Sequence, residues 1–201
     1  MRVIAGELGG RKIRSIDRPG LRPTTDRVRE SIFNMLAARI DFDGIVALDL
    51  FAGTGALGIE AISRGAARAT FVEQDRRSVA VITENLKTLA IADRAEVATS
   101  DALGYVASTE SRFDLILADP PYAATIFDRL VAGIFTRGLL NPDGLFVLEH
   151  AAAMKPACPA GAEVIVKKVF GETGVTVYTR SRESGVESRE SEDPDTGDPP
   201  P

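Results

Sequence analysis

The sequence predicts an α/β protein whose mostly parallel, doubly wound, seven-stranded sheet is closed by an antiparallel hairpin at its carboxyl end. Three observations predict this fold. Between residues 45 and 150, short apolar runs alternate regularly with amphipathic stretches. The first run, "IVALDL", is apolar almost throughout, as in parallel strands that are buried on both faces. The last stretch, "EVIVKKVFGETGVTVYTR", indicates two strands joined by a turn around residues 171–174, which is typical of a hairpin.

The elements between these ends follow in order. "ALGIEAISRG" is typical of a helix that ends at a glycine. The periodicity then predicts a strand in "ATFVE", a helix in "RRSVAVITENLKTLA" and a weaker strand in "AEVATSDA". Further along, it predicts a buried strand in "FDLILAD", a helix in "TIFDRLVAGIFTRGLL" and a strand in "GLFVLEH". In such sheets ligands bind beyond the carboxyl ends of the strands, where the strand order reverses.

The two ends of the chain differ in composition from this centre. Residues 1–22 are rich in Gly and Arg and predict a small basic hairpin arm, followed by the main domain over residues 23–180. That domain begins with a helix in "RPTTDRVRESIFNMLAARI", capped by Thr24 or Thr25. Residues 1–30 carry eight basic and four acidic side chains, whereas residues 181–201 carry seven acids and two Arg. The acidic tail over 181–201 has too few apolar residues to offset its ordering entropy, and we expect it to be disordered.

Composition excludes several classes of protein. A single cysteine, Cys158, excludes an internal disulfide and fits a reducing cytoplasm. With His150 as the one histidine, neither a zinc cluster nor a Cys/His nucleophile pair is expected, and we predict no metal. No apolar run approaches the roughly 20 residues of a membrane span. We expect a cytoplasmic monomer.

The loop after the first strand carries a glycine motif. In "DLFAGTGALG", the residues Gly53, Gly55 and Gly58 have G-x-G-x-x-G spacing, and Glu73 ends the next strand twenty positions after Gly53. Such glycines let backbone N–H groups approach a ligand at a helix N-terminus, and the acid can accept bonds from ribose hydroxyls. By spacing alone, the motif suits NAD as well as another nucleoside cofactor. It would also suit a turn that needs glycines only for packing.

Two further acids favour S-adenosylmethionine over a dinucleotide. Asp49 lies at the end of the first strand, where it would repel a pyrophosphate and attract a cationic ligand. Asp101, after the third strand, is suited to an adenine amino group, although alone it would indicate a helix cap. S-adenosylmethionine carries an amine, a ribose diol and an adenine but no phosphate.

The fourth strand ends in "LADPPY", residues 117–122, where prolines stop both strand and helix. The motif suits a reaction in which the nucleophile is an exocyclic amine attached to an aromatic ring. Such an amine is a poor nucleophile, because its lone pair is delocalised into the ring. The Asp119 carboxylate and the Pro120 carbonyl can each accept one N–H bond, which orients the amine and favours the charge it gains. Tyr122 offers a face for a base that has been flipped out of its stack. The alternative is a strand terminator with an exposed acid.

These motifs together resemble a known family. "DLFAGTGALGIEA", "FVEQD" and "LADPPY" are similar to the motifs of Rossmann-like class I methyltransferases that use S-adenosylmethionine and modify exocyclic amines. The preceding "GLRPTTDRVRESIFNML" resembles the hallmark of the small-subunit (16S) ribosomal RNA guanine-N2 methyltransferases, the RsmD family. The likeness covers about residues 1–180. It implies methylation of the N2 amine of one guanine in 16S rRNA of the small ribosomal subunit.

The resemblance also implies roles for residues, which we carry over by position. The catalytic motif falls on Asp119, Pro120, Pro121 and Tyr122. Positions next to the cofactor are Asp49, Phe51, Gly53, Gly55, Glu73, Asp101 and Ala102. In the hallmark segment, contacts with RNA or with a cofactor lid are expected from Arg22, Thr24, Thr25, Arg27 and Arg29. A solvated, capped helix is the alternative for Arg27 and Arg29.

Other functions stay open at the level of sequence. A DNA adenine-N6 or a protein glutamine methyltransferase would use a similar four-residue motif. An NAD-dependent oxidoreductase would use the same glycine spacing. A non-catalytic RNA-binding assembly factor is disfavoured by the intact Asp119 and Tyr122 pair. The acidic tail departs from the family pattern, and the loop "AATIF" after Tyr122 has no basic residue to contact RNA.

Overall fold

The structure is a computed structural model that describes residues 1–15, 26–121 and 124–181. Its centre is a seven-stranded sheet with the order β3-β2-β1-β4-β5-β7-β6. The strands from β3 to β5 in this order are parallel, while β7 is antiparallel to both β5 and β6. The predicted fold class is therefore confirmed. The strands are β1 Val46–Leu50, β2 Arg68–Glu73, β3 Ala95–Thr99, β4 Phe113–Ala118, β5 Leu140–Ala151, β6 Ala162–Phe170 and β7 Thr173–Arg180.

Five α-helices are described, and one of them was not expected. They are α1 Asp26–Ala37, α2 Ala56–Ser63, α3 Arg76–Leu89, α4 Ala102–Ser108 and α5 Ala124–Thr136. The sequence analysis missed α4, which links β3 to β4. This helix has seven residues, of which Ala102 and Val106 are buried, so its apolar period is too short to recognise. The predicted caps of α1, Thr24 and Thr25, lie outside the described residues.

The sheet separates two apolar layers. On one face, the arm, α1, α2 and α3 contribute Val3, Phe33, Ile59 and Leu86 to a single cluster. On the other face, α4 and α5 pack against the sheet in a second cluster. Continuous apolar strands such as β4 are buried on both sides for this reason. No helix in the described part of the chain is long and apolar enough to cross a membrane.

The amino-terminal arm, residues 1–15, is packed onto this core. Arg2 and Lys12 form an antiparallel bridge, as a hairpin requires. Val3, Leu8 and Ile13 are buried in the first apolar layer. The remaining arm residues expected from the sequence, 16–22, lie outside the described ranges, as does the acidic tail beyond residue 181. Residues 1–15 of the arm are therefore packed against the domain and contribute to its core.

Candidate active site

The strand order reverses between β1 and β4, and this switch point places two acids side by side. Asp49 pairs in register with Leu117, and Leu50 pairs with Ala118. Asp119 follows Ala118 directly, at the carboxyl end of β4. The connections from β1 and β4 leave toward opposite faces of the sheet, and ligands of doubly wound sheets bind at such a point. The acids of the two predicted motifs therefore meet at one edge of the sheet.

The chain turns sharply as it leaves β1. Phe51 has φ 58°, a left-handed conformation that a non-glycine residue rarely adopts. The turn is fixed at the next residue, where the Ala52 N–H donates to the Val72 carbonyl at 3.1 Å. The Phe51 ring is partly buried in the apolar layer of α4 and α5. Strained backbone of this kind is concentrated at ligand-binding sites.

The three motif glycines serve two different purposes. Gly53 and Gly55 have φ values of 56° and 79°, so a side chain at either position would be strained. Gly58 has an ordinary helical backbone. Its substitution is opposed by packing, because an added Cβ would lie 2.4 Å from Cε1 of Phe71 on β2. The first two glycines shape the loop, and the third lets α2 approach the sheet.

Glu73 fixes the glycine loop through hydrogen bonds to its backbone. One carboxylate oxygen accepts a hydrogen bond from the Gly53 N–H at 2.9 Å, and the other accepts from the Asp75 N–H at 2.8 Å. The side chain is half-buried. Since a carboxylate has about four lone-pair sites, these bonds leave acceptor capacity for ribose hydroxyls. Glu73 thus has a structural task that its spacing did not reveal.

Asp49 is an interior acid at the centre of the site. It is 1% exposed, and its Oδ2 accepts from the Gly58 N–H at 2.8 Å. Burial raises the pKa of Asp49 well above its usual value, and the nearby charges of Asp119 and Glu73 raise it further, against the lowering effect of the Gly58 bond. Three carboxylates therefore share one region. A bound cation would relieve their mutual repulsion.

Asp101 is the N-cap of α4. Its Oδ2 accepts from the Gly104 N–H at 2.8 Å, which is the helix-cap alternative that the sequence had left open. The side chain is exposed, whereas Ala102 is 4% exposed and packs its methyl group into the apolar layer. Because its side chain is buried, Ala102 can offer a cofactor only its backbone. Both residues stand beyond the carboxyl end of β3.

The four-residue catalytic motif is described through its third residue. Asp119 is half-buried, Pro120 is buried and Pro121 is exposed. The register of β1 and β4 brings Asp119 to the same edge of the sheet as Asp49, and its charge raises the pKa of Asp49. Tyr122 lies outside the described residues. The two prolines fix the backbone φ at this point, so the Pro120 carbonyl has little freedom to move.

The predicted RNA contacts on α1 have different environments. Arg27 is exposed in the first turn. Arg29 is fully buried, which corrects its expected contact with RNA: its Nη2 donates to the Arg2 carbonyl and, at 3.0 Å, to Asp26. Its Nε lies 3.9 Å from the buried carboxylate of Glu60. The other predicted contacts lie outside the described residues, namely Arg22, Thr24 and Thr25.

Two buried polar residues near the site were missed by sequence reasoning. Glu149 is 2% exposed and follows Leu148, which pairs with Ala118 just before Asp119. An acid inside the apolar run "GLFVLEH" was the signal that could have indicated it. Asn85 is 3% exposed and donates to the carbonyl of Thr54 in the glycine loop at 3.0 Å. The sequence feature that could have indicated Asn85 is an amide at a core position of α3.

Comparisons with known proteins show the family of the chain. The family model described as "Conserved hypothetical protein 95" matches residues 1–179. Ribosomal RNA small subunit methyltransferase D of Escherichia coli (strain K12) is 38% identical over 181 residues, which cover 90% of each chain. The chain belongs to the RsmD family of methyltransferases. The match leaves the predicted acidic tail outside the family model.

Other relatives extend the likeness of this RsmD-family chain across its length. The Haemophilus influenzae protein of the same name is 32% identical over 181 residues, covering 89% of this chain and 93% of its own. The solved structure of Escherichia coli yhhF matches with a TM-score of 0.80 at 36% identity, covering 90% of this chain and 97% of that one. The chain is therefore similar to these proteins over nearly all of its described part.

Proposed function

We propose that the protein transfers a methyl group from S-adenosylmethionine to the N2 amine of one guanine in 16S rRNA of the small ribosomal subunit. The observation that carries this proposal is the meeting of three carboxylates beside the glycine loop, those of Asp49, Glu73 and Asp119. This concentration of negative charge favours a cationic cofactor and opposes a pyrophosphate. An NAD-dependent oxidoreductase is disfavoured for the same reason.

The donors and acceptors at the site fit S-adenosylmethionine. Asp49 supplies negative charge for the ammonium group at the amino acid end, and Glu73 has acceptor capacity for the ribose. We assign Asp101 and the backbone N–H of Ala102, at the start of α4, to the adenine. When bound, the cofactor supplies an electrophilic methyl group. The glycine loop leaves room for it, since an added Cβ at Gly53 would approach no heavy atom closer than 3.8 Å.

The Asp-Pro-Pro-Tyr motif would bind the target amine. The lone pair of the guanine N2 is delocalised into the ring, so the amine needs orientation more than it needs a base. Asp119 and the Pro120 carbonyl each accept one N–H, which turns the lone pair toward the methyl group and stabilises the positive charge that develops on nitrogen. Tyr122 stacks on the flipped base. This mechanism needs no histidine base. The ring of His150 is hydrogen-bonded to the hydroxyl of Thr176 at 2.9 Å in the interior.

Support for an RNA substrate comes from the named relatives and from the basic surface at the amino end. The relatives are named as ribosomal RNA small subunit methyltransferases. Arg2, Lys12 and Arg27 are exposed at the arm and at the start of α1. Such side chains neutralise phosphates and set the register of RNA on the protein. Arg29 takes no part in this surface.

The test is methyl transfer from labelled S-adenosylmethionine to small ribosomal subunits from cells that lack the gene. The RNA is digested and its nucleosides are identified by mass spectrometry. We expect label in N2-methylguanosine at one site. Asp119→Ala should lower transfer by about 100-fold or more while RNA binding is retained, because it removes one acceptor from the reacting amine. Asp128→Asn, an exposed change on α5, is the matched control and should leave transfer unchanged.

Three results would contradict the proposal. Full transfer by Asp119→Ala would show that the mechanism is wrong. Binding of RNA and cofactor by the wild type without transfer to any substrate would favour an assembly factor. Transfer to DNA adenine or to protein glutamine in place of rRNA would favour those enzymes.

A further inference from the structure

The buried side chain of Asn85 on α3 is hydrogen-bonded to the arm, which also contacts this helix through the side chains of Arg11 and Arg14. Asn85 accepts a hydrogen bond from the Arg14 N–H through Oδ1 at 2.8 Å, and its Nδ2 donates to the Arg14 carbonyl at 3.1 Å. The amide thus pairs with both backbone groups of a single arm residue, much as a neighbouring strand would. Asn85 is 3% exposed. Buried polar groups that lose such partners destabilise the state in which they are buried.

The same amide also fastens the glycine loop. Its Nδ2 donates to the carbonyl of Thr54 at 3.0 Å, and Thr54 lies between the two left-handed glycines, Gly53 and Gly55. Both N–H donors of the amide are therefore in use, one toward the arm and one toward the loop. At the other end of the arm, the Thr54 hydroxyl donates to the sulfur of Met1 at 3.9 Å. The arm and the loop meet at Thr54 and share Asn85.

A second contact ties the arm to the helix that starts at this loop. Gly55 is the N-cap of α2, and Glu60 lies in the following turn. The Glu60 carboxylate is fully buried and accepts from the N–H groups of Ile4 at 2.8 Å and Ala5 at 3.1 Å. A displacement of the arm would therefore disturb both the loop and the helix behind it. Glu60 lies within the quoted motif "DLFAGTGALGIEA", whereas Asn85 belongs to none of the sequence motifs.

We propose that Asn85 is a positioning residue that couples the arm to the glycine loop, so that RNA bound at the arm strengthens cofactor binding. This inference rests on the proposed function. RNA that contacts both the arm and the exposed Arg27 of α1 holds the arm against the domain, and the docked arm fixes the Thr54 carbonyl through Asn85. By thermodynamic reciprocity, the cofactor strengthens RNA binding by the same factor.

The test measures binding of S-adenosylhomocysteine, the unreactive product, by calorimetry with and without a 16S rRNA fragment that the wild type binds. In the wild type we expect RNA to increase the affinity by about fivefold or more, within the usual range of coupling between sites. In Asn85→Ala we expect the affinity without RNA to fall by about tenfold, since the Thr54 carbonyl loses its partner. The increase caused by RNA should then nearly disappear.

Control variants separate coupling from stability. Leu86→Ala removes a buried side chain from the next position of α3, so it should lower the Tm but leave the effect of RNA intact. Glu84→Gln removes the exposed ion pair with the Arg14 side chain and should likewise leave the effect intact. Arg14→Pro removes the backbone N–H that donates a hydrogen bond to Asn85, whereas Arg14→Ala keeps it. Arg14→Pro should therefore weaken S-adenosylhomocysteine binding more than Arg14→Ala does.

The outcomes are distinguishable from failure of the proposed function. If the wild type binds neither S-adenosylhomocysteine nor rRNA, the proposed function is wrong. If the wild type binds both with no mutual effect, or if Asn85→Ala keeps the full effect, only the coupling role is wrong. An equal loss of the effect in Leu86→Ala would also overturn it, because general destabilisation would then explain the result.

Discussion

The two sides of the switch point are held rigid by different means. After β1, the loop is held by carboxylates that accept backbone N–H groups: Asp49 from Gly58 and Glu73 from Gly53. After β4, the chain is held by the covalent rings of Pro120 and Pro121. Under the proposed function, the acids beside the glycine loop both hold the backbone and face the cofactor. Beyond β4, the prolines supply rigidity, and Asp119 is the residue proposed to accept the target amine.

We expect the largest effect, a loss of methyl transfer, from Asp119→Asn. One oxygen of the side chain becomes an N–H donor that repels the target amine, so transfer should fall by about 100-fold or more. Because the prolines fix the backbone, the free energy of unfolding should change by less than about 1 kcal/mol. Single-turnover transfer and urea denaturation measure the two effects. A large loss of stability would show that Asp119 is as structural as Asp49.

Gly58→Ala should act on stability first. The new Cβ would lie 2.4 Å from the Phe71 ring, so α2 or the ring must move, and overpacking of this kind costs about 1 to 3 kcal/mol. Gly104→Ala on α4 is the matched control, because its Cβ would meet Asp101 Oδ2 at an ordinary 3.6 Å. Thermal unfolding should show a lower Tm for the first variant only. Equal Tm values would mean that the glycine is not needed for packing.

Glu73→Gln should weaken cofactor binding and the loop together. The amide retains one acceptor but turns an N–H donor toward a backbone N–H of Gly53 or Asp75. We expect about tenfold weaker binding of S-adenosylhomocysteine and a loss of about 1 kcal/mol in stability. Glu110→Gln, an exposed change, serves as the control. Weaker binding at full stability would show that Glu73 serves the ligand alone.

Asp49→Asn should produce the smallest effect, which is visible in the pH dependence of stability. Burial raises the pKa of Asp49, so the folded protein binds this proton more tightly than the unfolded chain does. The contribution of this group is complete below its unfolded pKa of about 3.9 and is lost as the pH rises toward the raised folded value. Asn does not titrate and retains an acceptor for Gly58. The free energy of unfolding of Asp49→Asn should therefore increase relative to that of the wild type as the pH rises.

Urea denaturation across this range, at constant ionic strength, checks the sign. A difference between the two proteins that does not change with pH would contradict it. Cofactor binding offers a second measurement, because a cation beside Asp49 favours its ionised form. The wild type should release protons on binding, and Asp49→Asn should release fewer.

Much of the fold and the glycine turn of the candidate site could be predicted from short stretches of sequence. The alternating apolar runs predicted β1, β2 and β4 within one residue of their ends, and the terminal hairpin was also confirmed. Gly53 and Gly55 were recognisable because left-handed backbone selects glycine locally. The helix α4 was missed since seven residues give too short a period. Asp101, considered as a cap or as a ligand, is a cap in the structure.

Short stretches of sequence are enough to predict the order of the strands along the chain, the glycine turn and the acids at the strand ends. These follow from the backbone preferences and hydrophobic period of neighbouring residues. The interior position of Arg29 and the hydrogen bonds of Asn85 are visible only in the folded chain. Both depend on partners distant in the chain, Glu60 for the first and Arg14 for the second. A helical period shows which face of a helix is buried, but it does not name the residue on the other side.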